Sequence, residues 1–374
     1  MQPRESLGHG GYLAESDSSS FSFLHECLTT LTGHASYISS LALSGKRLYA
    51  GFFDGDVKLW SVKTLLDSEN EVSRSNLITP PGGGAVKSLV VLEDRLFTAH
   101  QDHKIRVWRI NDEESDGNNG GSSKRYMRLA TLPTLGDRFA KCLMPKNQVQ
   151  VRRHKKSTWV HHVDAVSGLA LSRDGALLYS VSWDRTLKIW RTSDCKCLES
   201  ITNAHDDAVN ALAIADDGDI YSGSADRTIK IWRKHVEEKK HSLVSTLSKH
   251  NSGINALALS SNASLLFSGA CDGSVFVWER DNDGEIVVAG VLRGHTESIL
   301  CLAIVLDILC SGSADKTVRI WRSSARDCSC LAVLEGHKGP VKCLSGAASE
   351  ESYLIYSGGL DCDIKIWTVL VPPL

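Results

Sequence analysis

Seven times along this 374-residue chain an aspartate stands six residues before a tryptophan: Asp54 before Trp60, Asp102 before Trp108, Asp184 before Trp190, Asp226 before Trp232, Asp272 before Trp278, Asp315 before Trp321 and Asp361 before Trp367. Four residues before the aspartate comes a hydroxyl in six cases: Thr98, Ser180, Ser222, Ser268, Ser311 and Ser357, with Ala50 the exception. A histidine precedes the aspartate by 20 to 24 residues in six cases: His34, His162, His205, His250, His295 and His337, with Gly82 in that place in the second copy. Hydroxyl, imidazole and carboxylate are the parts of an acyl-transfer triad: nucleophile, base and the group that orients the base. Such a site needs a hydroxyl open to substrate with oxyanion donors beside it, and one copy is enough. Recurrence in nearly every copy favours a scaffold in which these polar groups satisfy one another. No catalytic residue is assigned here, and a hydrolase is kept only as a rival from a different class.

Other chemistry-bearing patterns are sparse. The chain has no G-x-S-x-G, no H-E-x-x-H and no G-x4-G-K-[ST]; Gly82-Gly83-Gly84 lacks a following lysine and a helix start, so it reads as a loop. Eleven cysteines include two C-x-C pairs, Cys195/Cys197 and Cys328/Cys330, but no C-x-x-C and no second Cys/His pair at ligand spacing. Buried reduced thiols are expected rather than a metal or a disulfide framework, and no cofactor is assigned. Lys and Arg number 42 against 44 Asp and Glu, a formal net charge of −2, so no global basic field exists to coat nucleic acid. The longest apolar stretch, Ile299 to Cys310, is broken by Asp307 and falls short of the ~20 residues of a membrane span. The opening segment carries Glu5 and no apolar core, unlike a secretory signal. The expected location is cytoplasm, nucleus or both.

The elements that position the recurring residues follow from the text between them. LYSVSWDRTLKIW and IYSGSADRTIKIW alternate with period two on either side of a tight turn, which reads as strand, turn, strand. One copy is then a small antiparallel sheet of about four strands, too small to stand alone, and copies must bury their faces against each other. Length alone suggests two or three domains. The repeat replaces that with one domain over 23–374, after a disordered segment 1–22, with copies at about 33–62, 82–110, 161–192, 204–234, 249–280, 294–323 and 336–369. CLTTLTGH, from Cys27 to His34, is similar to CLESITNAH and CLAVLEGH ahead of later copies but has no three strands before it. It is expected to complete the last copy and so remove two exposed sheet edges.

These marks resemble the WD40 family from about Cys27 to Val371. The resemblance rests on Gly-His at Gly33-His34, Gly294-His295 and Gly336-His337 and on the seven D-x5-W units; the aspartate that names the repeat is replaced after tryptophan by Ser, Arg, Glu or Thr. The resemblance implies an all-β fold, a seven-bladed WD40 β-propeller whose ring is closed by an N-terminal strand in the last blade. It also implies structural tetrads, in which the tryptophan indole meets the hydroxyl, the hydroxyl meets histidine and histidine meets aspartate. Within the family, VRRHKKSTW, CKCLES, NAHDDAVNAL, SGSADKT and GPVKCL are similar to plant WD-repeat proteins of the JINGUBANG type.

Function in such a ring is expected on its rims. Residues just before the turn aspartate, and those three and five after the histidine, should face one rim, the positions that WD40 proteins commonly use for protein contacts. The first set reads Phe53, Gln101, Trp183, Ala225, Cys271, Ala314 and Leu360; the second includes Tyr37, Ser39, Lys87, Ser167, Asn210, Asn255, Pro340 and Lys342. Tyr37, Phe53, Trp183, Leu360 and Lys342 form the expected partner-binding set, against a competing reading of Phe53 and Trp183 as plugs between blades. The interval from Trp108 to Trp190 is 82 residues where other steps run from 42 to 48. It holds an acidic, Gly/Ser-rich loop (Asn111 to Lys124), expected to be mobile, and seven basic residues with no acid between Arg138 and Thr158, among them Arg152, Arg153, Lys155 and Lys156. QVQVRRHKKSTWVHH reads as an added or replacement strand reaching blade three. Three roles stay open for this insert: a solvated strand and turn, a dock for an acidic protein or phospho-segment, or a contact with nucleic acid, anionic lipid or the import machinery. The chain is thus expected to be a non-enzymatic, regulatory platform for protein partners, without membrane or small-molecule substrate and with nucleic acid not expected. Substrate reception for a cullin-type ubiquitin ligase is the rival among binding modules, and it is weakened by the lack of any W-D-x-R.

Overall fold

The computed structural model describes residues 25–67, 76–78, 84–110, 126–137, 148–152, 155–235, 240–281, 283–322, 329–349 and 352–370. The segment 1–22 and the acidic loop 111–124 lie outside the described residues. Strands form where β-branched and aromatic residues alternate between tight turns. In the third copy Val166–Leu171, Leu177–Ser182, Leu187–Arg191 and Cys197–Ile201 pair antiparallel in chain order. The same order recurs in sheets over 38–77, 86–132, 209–247, 254–292 and 299–334. The seventh sheet joins three strands of 341–369 to His25–Leu31, which runs antiparallel to Ile364–Val369 with His25 opposite Val369 and Leu31 opposite Ile364. The protein is a seven-bladed β-propeller, and the two ends of the chain share its last blade. One short helix, Val62–Asp67, follows the third strand of blade one, whose outer strand is only Asn76–Leu77.

The core lies between blades rather than inside any of them. Seven apolar clusters occur, each drawing on two neighbours: Tyr49 and Val57 of blade one with Val86 and Leu96 of blade two, Phe97 and Val107 of blade two with Val166 and Leu178 of blade three, and so on to Tyr356 and Ile364 of blade seven with Ile38 and Phe52 of blade one. Every repeat tryptophan sits in the cluster shared with the preceding blade: Trp108 in the first of these, Trp190 in the second and Trp60 at the closure. The second strand of each blade is buried along nearly its whole length, as in Leu177–Ser182, Ile220–Ser224 and Ile308–Ser313, so each sheet has two faces to cover, and stacking blades around a ring buries both. Close approach is tight enough that small residues are required: a Cβ on Gly358 would lie 2.6 Å from Ile38 of blade one.

Two expectations are corrected. The basic insert is neither an added nor a replacement strand of blade three. Gln148–Arg152 and Lys155–Thr158 pair with each other in a separate two-stranded hairpin, because blade three already has four strands from its own repeat and offers no vacant position. Arg152, Lys155 and Lys156 lie on this hairpin, whereas Arg153 is outside the described residues. Nor are the thiols uniformly buried: among the described free cysteines, Cys27, Cys271 and Cys330 are exposed, while Cys197, Cys310 and Cys343 are buried.

Candidate protein-interaction site

The rim is built on the polar relay inside each blade. In blade three the Trp190 indole N–H donates to Ser180 Oγ at 2.9 Å, the hydroxyl meets His162 Nε2 at 2.8 Å, and His162 Nδ1 meets Asp184 at 3.2 Å. Asp184 also accepts from Thr186 Oγ1 at 2.6 Å and from the Val163 N–H at 2.8 Å. Blades four, six and seven repeat the relay through Trp232–Ser222–His205–Asp226, Trp321–Ser311–His295–Asp315 and Trp367–Ser357–His337–Asp361. A hydroxyl that accepts the indole N–H donates to the imidazole, so histidine is neutral and its Nδ1–H faces the carboxylate. Burial pushes the pKa of His162 down against the pull of Asp184. Burial alone would raise the Asp184 carboxyl, and His162, Thr186 and the Val163 amide together hold it well below its ordinary value. Each of these serines is fully buried, so none is presented as a nucleophile.

Three blades depart from the relay. In blade two Thr98 takes the Trp108 indole at 3.0 Å, but its imidazole comes from His100, two residues along the same strand, with Thr98 Oγ1 to Nε2 at 2.8 Å and Nδ1 to the Gly84 carbonyl at 3.0 Å. Asp102 is left to a forked pair with Arg106, at 2.6 and 3.2 Å. His100 lies on the second strand of its blade, not on the loop before the first, and no other copy has histidine two residues after the hydroxyl position. In blade five His250 keeps Ser268 at 2.7 Å but stacks on Phe276 at 4.2 Å, its Nδ1 is buried without a partner, and burial takes its pKa to about 4. Asp272 bonds Ser274 instead, at 2.6 Å. In blade one Ala50 supplies no hydroxyl, His34 Nε2 is buried without a partner, and burial followed by the charge of Lys58 takes its pKa to about 4. Ala50→Ser should therefore stabilise the protein by about 1 kcal/mol by giving that nitrogen a donor. Differential scanning fluorimetry should read a rise in Tm of about 2 °C. An unchanged or lower Tm would mean that blade one has repacked around the missing bond.

The relay fixes the turn, and a second repeated bond fixes the residue before it. In all seven blades the N–H just before the turn aspartate donates to a carbonyl on the loop that leads into the innermost strand: Phe53 to Tyr37 at 3.0 Å, Gln101 to Ala85, Trp183 to Ala165 at 3.1 Å, Ala225 to Ala208, Cys271 to Gly253, Ala314 to Ser298 and Leu360 to Pro340 at 2.8 Å. Side chains at this position are thereby held at the rim. Phe53 is 47% exposed, Tyr37 47%, Trp183 40% and Leu360 37%, so neither Phe53 nor Trp183 is a buried plug.

The inner-strand positions behave differently from expectation. Ser39 and Ser167 donate to the carbonyls of Val86 and Val209, and Asn210 and Asn255 to those of Ile254 at 3.0 Å and Ile299 at 2.9 Å. These four therefore face the seam with the next blade. Blades two and seven carry lysine at the same place. Lys87 lies between two rings from different blades, with Nζ 5.2 Å from the Phe53 centroid and 5.1 Å from that of Trp183. Tyr37 packs on Phe53 with centroids 6.1 Å apart. Burial, then the nearby charge of Lys342, lowers the pKa of Lys87. Tyr37, Phe53, Lys87 and Trp183, with Lys342 close by, thus form one arc across blades seven, one, two and three.

Comparison with known proteins agrees with this geometry. Residues 25–61, 153–191, 195–233, 241–279, 287–322 and 328–368 match the family model described as "WD domain, G-beta repeat". The matches pass over the second blade, where His100 replaces the usual imidazole. Over 220 residues the chain is 30% identical to "Apoptotic protease-activating factor 1" of Danio rerio, covering 57% of this chain and 16% of that protein. Over 170 residues it is 29% identical to "Zinc finger CCCH domain-containing protein 62" of Arabidopsis thaliana, covering 45% and 38%. The chain therefore spans well under half the length of these relatives. The crystal structure of the WD40 β-propeller domain of Doa1 superposes with a TM-score of 0.66 at 19% identity, over 92% of this chain and 97% of that one, a likeness of fold. With six matched repeats, seven blades and the tryptophan relay, the chain belongs to the WD40 repeat family.

Proposed function

We propose that the protein is a non-enzymatic, regulatory adaptor that holds a protein partner on the arc of Tyr37, Phe53, Lys87, Trp183 and Lys342, with Leu360 on the same rim. The observation that carries this reading is the exposure of two aromatic rings on either side of one lysine, at a rim position where blades four to six carry Ala225, Cys271 and Ala314. Large aromatic side chains beside a cation are the composition of an interaction hot spot, and family members commonly engage proteins at rims of this kind. The quoted segments, from VRRHKKSTW to GPVKCL, support membership of the plant JINGUBANG type. A cytoplasmic or nuclear location fits the free thiols.

The test is affinity purification from the source tissue with wild-type protein and with the Phe53→Ala/Trp183→Ala double variant. The variant should lose its specific partners while Tm stays within about 2 °C, since both rings lie at the surface and outside the blade-to-blade core. Each ring is expected to contribute about 2 kcal/mol, roughly 30-fold in Kd. An unchanged set of captured proteins, or a Tm drop as large as that of a core substitution, would overturn the assignment.

A further inference from the structure

Charge on the aromatic arc is unbalanced. On the blades of the arc, Asp102, Asp184 and Asp361 are engaged with arginine, threonine or histidine, while Asp54 accepts from the Asp56 N–H. Among the described residues, no carboxylate lies within ion-pair distance of Lys87 or Lys342, although carboxylates are as numerous in the chain as lysines and arginines together. The two lysines also stand where other blades place seam-closing Ser39, Ser167, Asn210 and Asn255, so each gives up a blade-to-blade bond. Two like charges close enough to disfavour each other, one half-buried at Lys87 and one exposed at Lys342, with no carboxylate in ion-pair distance, are an arrangement that an incoming anion relieves.

We propose that the partner segment carries a carboxylate side chain, Asp or Glu, that seats between Lys87 and Lys342, with a large apolar residue beside it on Phe53, Tyr37 and Trp183. This deepens the adaptor reading and rests on it. A carboxylate is favoured over a phosphate because the three recurring rim positions of these blades hold no arginine, and phosphate recognition draws on the forked donors of arginine. The rings supply the apolar contact and fix the lysine, so the segment meets a cation that is already ordered.

The test pans a displayed random-peptide library on the purified full chain and follows with synthetic peptides. Enriched peptides should share an Asp or Glu next to a large apolar residue. The change of that Glu to Gln, and the variants Lys87→Met and Lys342→Met, should each weaken binding about tenfold, with the loss growing less at high salt. Lys87→Met keeps an apolar stem between the rings. A Lys342→Glu variant that regains binding with a Glu→Lys peptide shows that charge, not misfolding, is read. Peptides that need Phe53 and Trp183 but carry no acid overturn this inference and leave the adaptor reading standing. A phosphoserine peptide binding more than about tenfold tighter than its glutamate counterpart also overturns the carboxylate assignment. A library that yields no binder dependent on Phe53 or Trp183 removes both readings.

Discussion

Trp190→Ala should cost about 3–5 kcal/mol of stability and lower Tm by roughly 10 °C. Trp190 is among the largest fully buried side chains, and it fills the seam between blades two and three beside Phe97, Val107, Leu132 and Leu178. Its removal leaves a cavity that two rigid sheets, each held by its own ladder, cannot collapse around. It also removes the donor to Ser180, at the head of the relay through His162 to Asp184. Trp190→Phe weights the two effects differently: it removes the N–H but keeps much of the ring in the seam, so a smaller loss of about 1–2 kcal/mol is expected. Because Tm depends on scan rate when a large protein unfolds irreversibly, the comparison is made at one scan rate. Trp183→Ala is the internal control, since that ring is exposed and should change Tm little. A loss at Trp190 no larger than at Trp183 would mean that the seam does not depend on the repeat tryptophans.

The contrast between those two tryptophans also shows what a single sequence can and cannot carry. Trp190 was legible because it recurs: seven tryptophans at one spacing from an aspartate declare a repeated strand pair, and the period-two text around them declares the sheet. Ring closure was legible for the same reason, since CLTTLTGH repeats a segment that elsewhere follows three strands. That each tryptophan seals the seam with the preceding blade was not, because periodicity identifies a buried face without naming what covers it. His100 is not legible from the repeat spacing, because blade two reaches the hydroxyl of Thr98 from two residues along the same strand rather than from 20 to 24 residues upstream of the aspartate. Ser39 and Asn210 were sent to the rim by position alone, and backbone carbonyls of the next blade draw them into the seam. Phe53, Lys87 and Trp183 were each visible as rim residues. Their meeting was not, because three blades of ring curvature bring together residues far apart in the chain, and no local pattern encodes that distance.

Acidification should destabilise the protein in two successive stages, the first beginning near pH 6.5. Six histidines, His34, His162, His205, His250, His295 and His337, have pKa values lowered by burial in the folded protein, to about 4 for His34 and His250. In the unfolded chain each returns to about 6.5 and binds a proton that the folded state refuses, so stability is complete above pH 6.5 and falls as the pH drops toward 4. For His250, enclosed between Ser268 and Phe276, the contribution lost over this window is of the order of 2–3 kcal/mol. His34 contributes less because it is more open to solvent screening. The second stage involves carboxylates. Burial would raise Asp184, Asp226, Asp315 and Asp361, but their histidine, threonine and backbone donors hold them below the ordinary carboxylate value, so their contribution persists above pH 3.8 and is lost only as the pH falls below it. Thermal unfolding followed by circular dichroism should therefore show Tm falling between pH 6.5 and 4, then more steeply below. His250→Gln keeps a side-chain partner for Ser268 and removes one titrating group, so its Tm should fall less over the first window than that of wild type. A wild-type Tm flat from pH 7 to 5, or an unchanged slope in the variant, would mean that the relay histidines take up protons without leaving the fold, and the neutral, Nδ1-protonated form assigned to them would be wrong.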